Sequence, residues 1–191
     1  MNTKIALTLV CLSLSSLVQA AAPKAQAAPP KMDEIFKGVT YAQPECYGRE
    51  YTRAELKSHP NQTVEQIKAK LLKYSVDPAA NSNGLKIEVR LAKEEGLNYH
   101  AEFSCMESVG QTLCAIECDG GSVVVGQFDE KTMILKSNGF TIKGGCDSED
   151  SEKTKFLKAL KGGDDIFTLK ALPASFCTDA SAAYDPEGEK K

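Results

Sequence analysis

Leu85-Lys86-Ile87-Glu88-Val89-Arg90-Leu91 places an apolar side chain at every second position, and Leu97-Asn98-Tyr99-His100-Ala101-Glu102-Phe103-Ser104-Cys105 repeats the pattern a few residues later. A period of two is the signature of a strand with one buried and one solvated face. Two such runs joined across residues 93–96 predict an antiparallel hairpin. Downstream, residues 112–118 lead into Asp119-Gly120, a dipeptide suited to the positive φ angles of a tight turn. Residues 122–128 are β-branched and apolar, and Asp129-Glu130 turns the chain into 132–136. Asn138-Gly139 predicts a further turn into 140–143. A last strand is expected over 166–172, burying Phe167, Leu169 and Ala171.

Helix signals are few. Thr52 and Glu55 have capping-box spacing and open a short helix that stops before Pro60. Residues 150–161 are expected to form a second, with Phe156, Leu157 and Leu160 on one face and Gly162 as terminator. Residues 62–74 fit either period, and are assigned to strand because a sheet of this size needs more strands than are otherwise counted. The fold class is therefore mainly β: an antiparallel meander closing into a small barrel or sandwich of about seven to eight strands, with one or two short helices.

The chain has 191 residues and seven cysteines. Lys4 followed by the apolar run 5–18 and Val18-Gln19-Ala20 reads as an export signal, 1–20. Ala25-Gln26-Ala27 is a second cleavage candidate, which puts the mature start between 21 and 28. The run is shorter than the roughly 20 residues of a membrane span, and no other segment is long and apolar enough, so no transmembrane segment is expected in the mature chain. Leu9-Val10 lacks the small residue a lipid-anchored cysteine at Cys11 requires. Residues 21–31 form an Ala/Pro-rich linker, 32–177 a single domain and 178–191 a disordered tail. A domain of that length buries roughly 70% of its unfolded surface, enough for a core of its own.

Removing the signal leaves six cysteines: Cys46, Cys105, Cys114, Cys118, Cys146 and Cys177. An even number behind an export signal predicts a disulfide-stabilised domain in an oxidising compartment, periplasmic or secreted. Cys105 ends one strand, so a bridge to Cys114 or Cys118 on the next is expected. Cys46 and Cys177 bracket the domain and are expected to tie its ends. A metal site from Cys105, Cys114, Cys118 and His100 is disfavoured, because Cys-x3-Cys is not the usual zinc spacing and no second pair accompanies it. No Cys-x-x-Cys exists for thiol redox chemistry.

No catalytic, cofactor-binding or metal-binding residue is assigned. His59 precedes Pro60 at a helix end, where an imidazole commonly meets the last carbonyls. His100, Glu102 and Ser104 share one strand face and point outward in parallel, so they do not converge as a hydrolytic set. Asp119-Gly120-Gly121 lacks the lysine and helix of a phosphate loop. The acidic residues 147–150, Glu152 and Asp164-Asp165 do not match a calcium loop and read as solvated. Glu102, Glu117 and Asp119 show no pairing in a cleft. The net charge of −3 becomes −4 once Lys4 is removed, which argues against nucleic acid as a partner.

Cys46-Tyr47, His59-Pro60-Asn61-Gln62-Thr63-Val64 and Ile116-Glu117-Cys118-Asp119-Gly120-Gly121 resemble small exported proteins of uncharacterised function from Gram-negative bacteria, over about 46–177. The resemblance implies a periplasmic setting and no particular activity. The function expected is a non-enzymatic binding or accessory protein of the cell envelope, with an unknown protein or small-molecule ligand and no cofactor. The alternatives are an envelope hydrolase using carboxylates and a metal-binding periplasmic protein. Recognition is expected on residues 106–111 and 147–165, since loops on a rigid sheet carry it.

Overall fold

A computed structural model describes residues 29–75, 82–94, 97–129, 131–142 and 154–176. The expected export signal and tail, Cys146, Cys177 and the acidic stretch 147–152 lie outside these. Nine strands form in chain order: β1 Glu45–Glu50, β2 Val64–Lys73, β3 Asn83–Leu91, β4 Asn98–Ser108, β5 Gln111–Ala115, β6 Gly121–Asp129, β7 Thr132–Ile142, β8 Lys155–Leu157 and β9 Ile166–Leu172. Helix α1 spans Met32–Ile35 and α2 spans Arg53–Ser58. β1 to β7 pair consecutively, β7 pairs β9, and β9 returns to β1, so eight strands close a barrel. Every pairing is antiparallel. β8 lies outside the ring, hydrogen-bonded to the far end of β7.

Eight strands leave an interior just wide enough for side chains to fill. Phe103, Phe140, Phe167, Leu71, Leu85, Ile87, Met133 and Leu135 occupy it with essentially no exposure. Ala69 and Ala101 make room for the rings, and Phe103 meets Phe140 edge-on with centroids 5.3 Å apart. The barrel is packed rather than hollow. One end is covered by the segment entering β1, which buries Ile35, Phe36 and Val39. Outside, β2, β3 and β4 carry a cross-strand ion-pair ladder: Lys68–Glu88 and Lys86–Glu102, both 3.2 Å, and Arg90–Glu65 at 2.8 Å.

Four expectations are corrected. Asn138-Gly139 is not a turn: β7 runs through it, and Gly139 at φ +85° sits in a bulge. The extra residue shifts the alternation, so that Met133 and Leu135 point inward before it and Phe140 and Ile142 after it. A side chain at Gly121 would strike the Gly139 carbonyl, so both positions need glycine. Of the helix expected over 150–161, residues 150–153 lie outside the described ones, and the described part is instead strand β8 followed by irregular backbone, in which only Leu157 of the three apolar residues is buried. β5 ends at Ala115 rather than 118, and the positive φ angles of its turn fall on Cys118 and Asp119. Ala171 is exposed rather than buried. Residues 62–74 form a strand, as assigned, and Thr52 caps α2 with Glu55 in the reciprocal arrangement.

Cys105 and Cys114 stand opposite each other across β4 and β5 and are bonded, with Cα atoms 4.0 Å apart. Their sulfurs are not available as thiolates for a metal. Cys46 and Cys118 each take part in a further disulfide.

Candidate functional site

At the end of the barrel where β2 begins, the loop between β8 and β9 is pinned by one carboxylate. Asp164 is buried and accepts hydrogen bonds from Gln62 Nε2 (2.7 Å), the main-chain N–H groups of Thr63 (3.0 Å) and Val64 (3.1 Å), and the Thr63 hydroxyl. Asn61 adds a bond to the Lys161 carbonyl at 3.0 Å. Burial raises the Asp164 pKa above its ordinary value, while the bonds from Thr63 and Val64 draw it back down. The solvated loop expected at Asp164-Asp165 is thus, at Asp164, a buried anchor.

Asp164 also lines a groove of about 350 Å³ beside β8. Leu91, Ile142, Leu157 and Leu160 give it an apolar lining, and Pro60 and Phe156 flank it. Phe156 is 54% exposed and Leu160 42%. Large apolar side chains left in water in one place mark a contact surface more often than chance exposure. One polar cluster crosses the groove. Glu94, after β3, accepts from the Lys155 ammonium and the Tyr99 hydroxyl, and Lys155 lies 5.2 Å from the Tyr99 ring centre. Lys155 and then Tyr99 hold the Glu94 carboxyl below its usual range, and Glu94 raises Lys155. The Lys155 charge is thereby balanced. Lys93 and Lys158, also on the groove, have no ion-pair partner among the described residues.

Other sequence candidates do not gather there. His100 and Glu102 lie on the outer face of β4, with Glu102 paired to Lys86. Glu117 and Asp119 are exposed in the β5–β6 turn. His59 Nδ1 sits 2.9 Å from the Glu55 carbonyl oxygen, the helix-end contact expected of it. A second hollow, of about 420 Å³, includes Arg49, Glu55, His59 and Asp165. Glu55 is held to about 2 by the Thr52 main chain and hydroxyl and by Arg49, so it stays ionised at neutral pH and holds no proton to donate. A hollow of about 850 Å³ at the opposite end, between α1 and the start of β1, has a mixed-charge rim of Glu34, Lys37, Glu45 and Asp129. Among the described residues no three His, Cys, Asp or Glu side chains converge as a metal-ligand set.

Of the two segments expected to carry recognition, 147–165 contributes its described part, from residue 155, to the groove. The 106–111 segment is not a loop: β4 and β5 extend to Ser108 and from Gln111, leaving Val109 and Gly110 at φ +49° and +70°. Val109 is wholly exposed. A β-branched residue is strained in that region, and asparagine suits this turn far better. Val109→Asn is expected to raise stability by about 1 kcal/mol, read as a higher urea midpoint with an unchanged slope; a lower midpoint would refute the strain.

No family model, curated protein sequence or solved structure matches the chain.

Proposed function

We propose that this chain is a non-enzymatic binding protein of the cell envelope, exported and oxidised there, which recognises its partner through the groove beside β8. The observation that carries this reading is the contrast between interior and groove. Among the described residues, buried side chains fill the barrel interior, and the hollows lie at its ends and beside β8. The groove, by contrast, keeps Phe156 and Leu160 in water beside a fixed polar cluster. A packed interior moves recognition to the outside of the scaffold, and a macromolecule is the fitting occupant of an open groove.

The test is site-specific photocrosslinking of the exported protein, with a photoreactive amino acid at Leu160 and, as control, at Glu102 on the ion-paired face. A discrete adduct formed from position 160 and absent from position 102 is the expected result. Equal labelling from both positions, or none from 160, would remove the groove as the recognition surface.

A further inference from the structure

Among the described residues β8 belongs to the sheet by one edge only. It pairs with β7 as Phe140 with Leu157, Thr141 with Phe156, and Ile142 with Lys155. The Thr141 N–H donates to the Gly120 carbonyl at 2.7 Å, on the β6 side. Thr141 and Phe156 are therefore an opposed pair that exchanges no main-chain bonds, and the bonds fall to the pairs on either side. By that alternation the Phe156 N–H and C=O point away from β7. No second strand pairs with β8 among the described residues. An unpaired strand edge of this kind is a template for one more strand.

We propose that the groove takes an extended, acidic and apolar segment of a partner protein, which adds to the free edge of β8 as a further strand. This rests on the groove being the recognition surface and specifies how it recognises. Main-chain bonds to Phe156 would supply register and part of the affinity, and the side chains of the added strand, alternating in direction, would supply selectivity. Apolar ones fit the lining of Leu91 and Leu160; acidic ones fit Lys93 and Lys158, which have no ion-pair partner among the described residues. A second copy of the chain is a poorer occupant. Antiparallel pairing of two β8 edges would set Lys155 and Lys158 of one copy near those of the other.

The experiment is amide exchange and titration by NMR, using an end-blocked hexapeptide of alternating valine and aspartate, with a valine–lysine peptide as control. In the free protein the Phe156 amide is expected to exchange rapidly while those of Lys155 and Leu157 are protected, and saturating peptide is expected to slow Phe156 by at least about tenfold. The lysine peptide should bind about tenfold more weakly. Phe156→Pro removes the outward N–H together with the ring and Phe156→Ala removes the ring alone, so the proline variant should keep the β7–β8 ladder yet bind peptide about tenfold or more weakly than the alanine variant. Lys158→Glu, at an exposed position, should weaken the aspartate peptide and favour the lysine peptide. Strand addition is overturned if Phe156 is already protected in the free protein, or if F156P binds as tightly as F156A while Leu91 and Leu160 still respond to peptide. That last result would leave the groove reading intact; absence of any response at Leu91 and Leu160 would sink both.

Discussion

Asp164→Ala is expected to lower the free energy of unfolding by about 2–3 kcal/mol, a large share of the stability of a domain this size. The carboxylate is the common acceptor for Gln62, two consecutive main-chain N–H groups and the Thr63 hydroxyl. Removing it leaves the buried Val64 N–H without an acceptor, at about 1–3 kcal/mol for an unsatisfied buried group, and takes the bonds of the half-buried Gln62 and the exposed Thr63 as well. Asp164→Asn keeps the shape but turns an N–H2 toward a set of donors, and should cost about half as much. Urea denaturation of both variants checks the order; an alanine variant within about 1 kcal/mol of wild type would mean that the anchor is ornamental.

The anchor also has a pH signature. Because burial raises the folded-state pKa of Asp164, the unfolded chain gives up this proton first as pH rises. Between the ordinary carboxylate value and the raised one, the folded state binds more protons, so the contribution of Asp164 to stability declines as pH rises through that window. Asp164→Asn should flatten that part of the stability profile. Glu55 and Glu94, held low, contribute the opposite slope, so the test is the difference between the two profiles, and an Asp164→Asn profile parallel to wild type would contradict the role given to burial.

The second large effect concerns sulfur. Peptide mapping under non-reducing conditions is expected to join Cys46 to Cys177. Cys46 stands opposite Leu172 of β9, and Phe176, the residue before Cys177, lines a small hollow with Cys46 and Lys68. Cys105 and Cys114 are already joined. Cys118 is bonded too, but lies at the other end of the barrel from Cys46, near the first residues of β6, and on the proposal that Cys11 leaves with an export signal this assigns Cys146 to it. Closing a loop this long contributes about 4–5 kcal/mol by the chain-entropy relation, so Cys46→Ser with Cys177→Ser should lower stability by up to that amount. A mapped bond from Cys46 to any other cysteine would refute the assignment.

The strands were legible because each turns one face to the core, and that requirement writes a period of two into the sequence. Where the chain breaks its own period the reading failed. Asn138-Gly139 satisfies the chemistry of a turn and of a bulge alike, since both need a positive φ, and only the phase of Phe140 and Ile142 against Met133 and Leu135 separates them. At β8 the spacing of Phe156, Leu157 and Leu160 imitated a helix face because two of the three are exposed and need no shared direction. Helix α1, four residues long and opened by Lys31, carries almost no local signal. The candidate site is assembled from residues near 60, 91, 142 and 155–160, and no local pattern in the chain ties these together. Asp164 looked like any acidic loop residue because its four donors come from a segment a hundred residues earlier.

The ring of strands is not equally strong all round. β1 and β9 meet over only three residue pairs, Cys46 with Leu172, Tyr47 with Ala171 and Gly48 with Lys170, and they join the beginning of the domain to its end. This seam cannot form until the whole chain is present, and having the fewest bonds it is where the cylinder would unzip first, short of global unfolding. A bond from Cys46 to Cys177 would rivet that joint, so reduction should loosen the seam well before it dissolves the meander from β2 to β7.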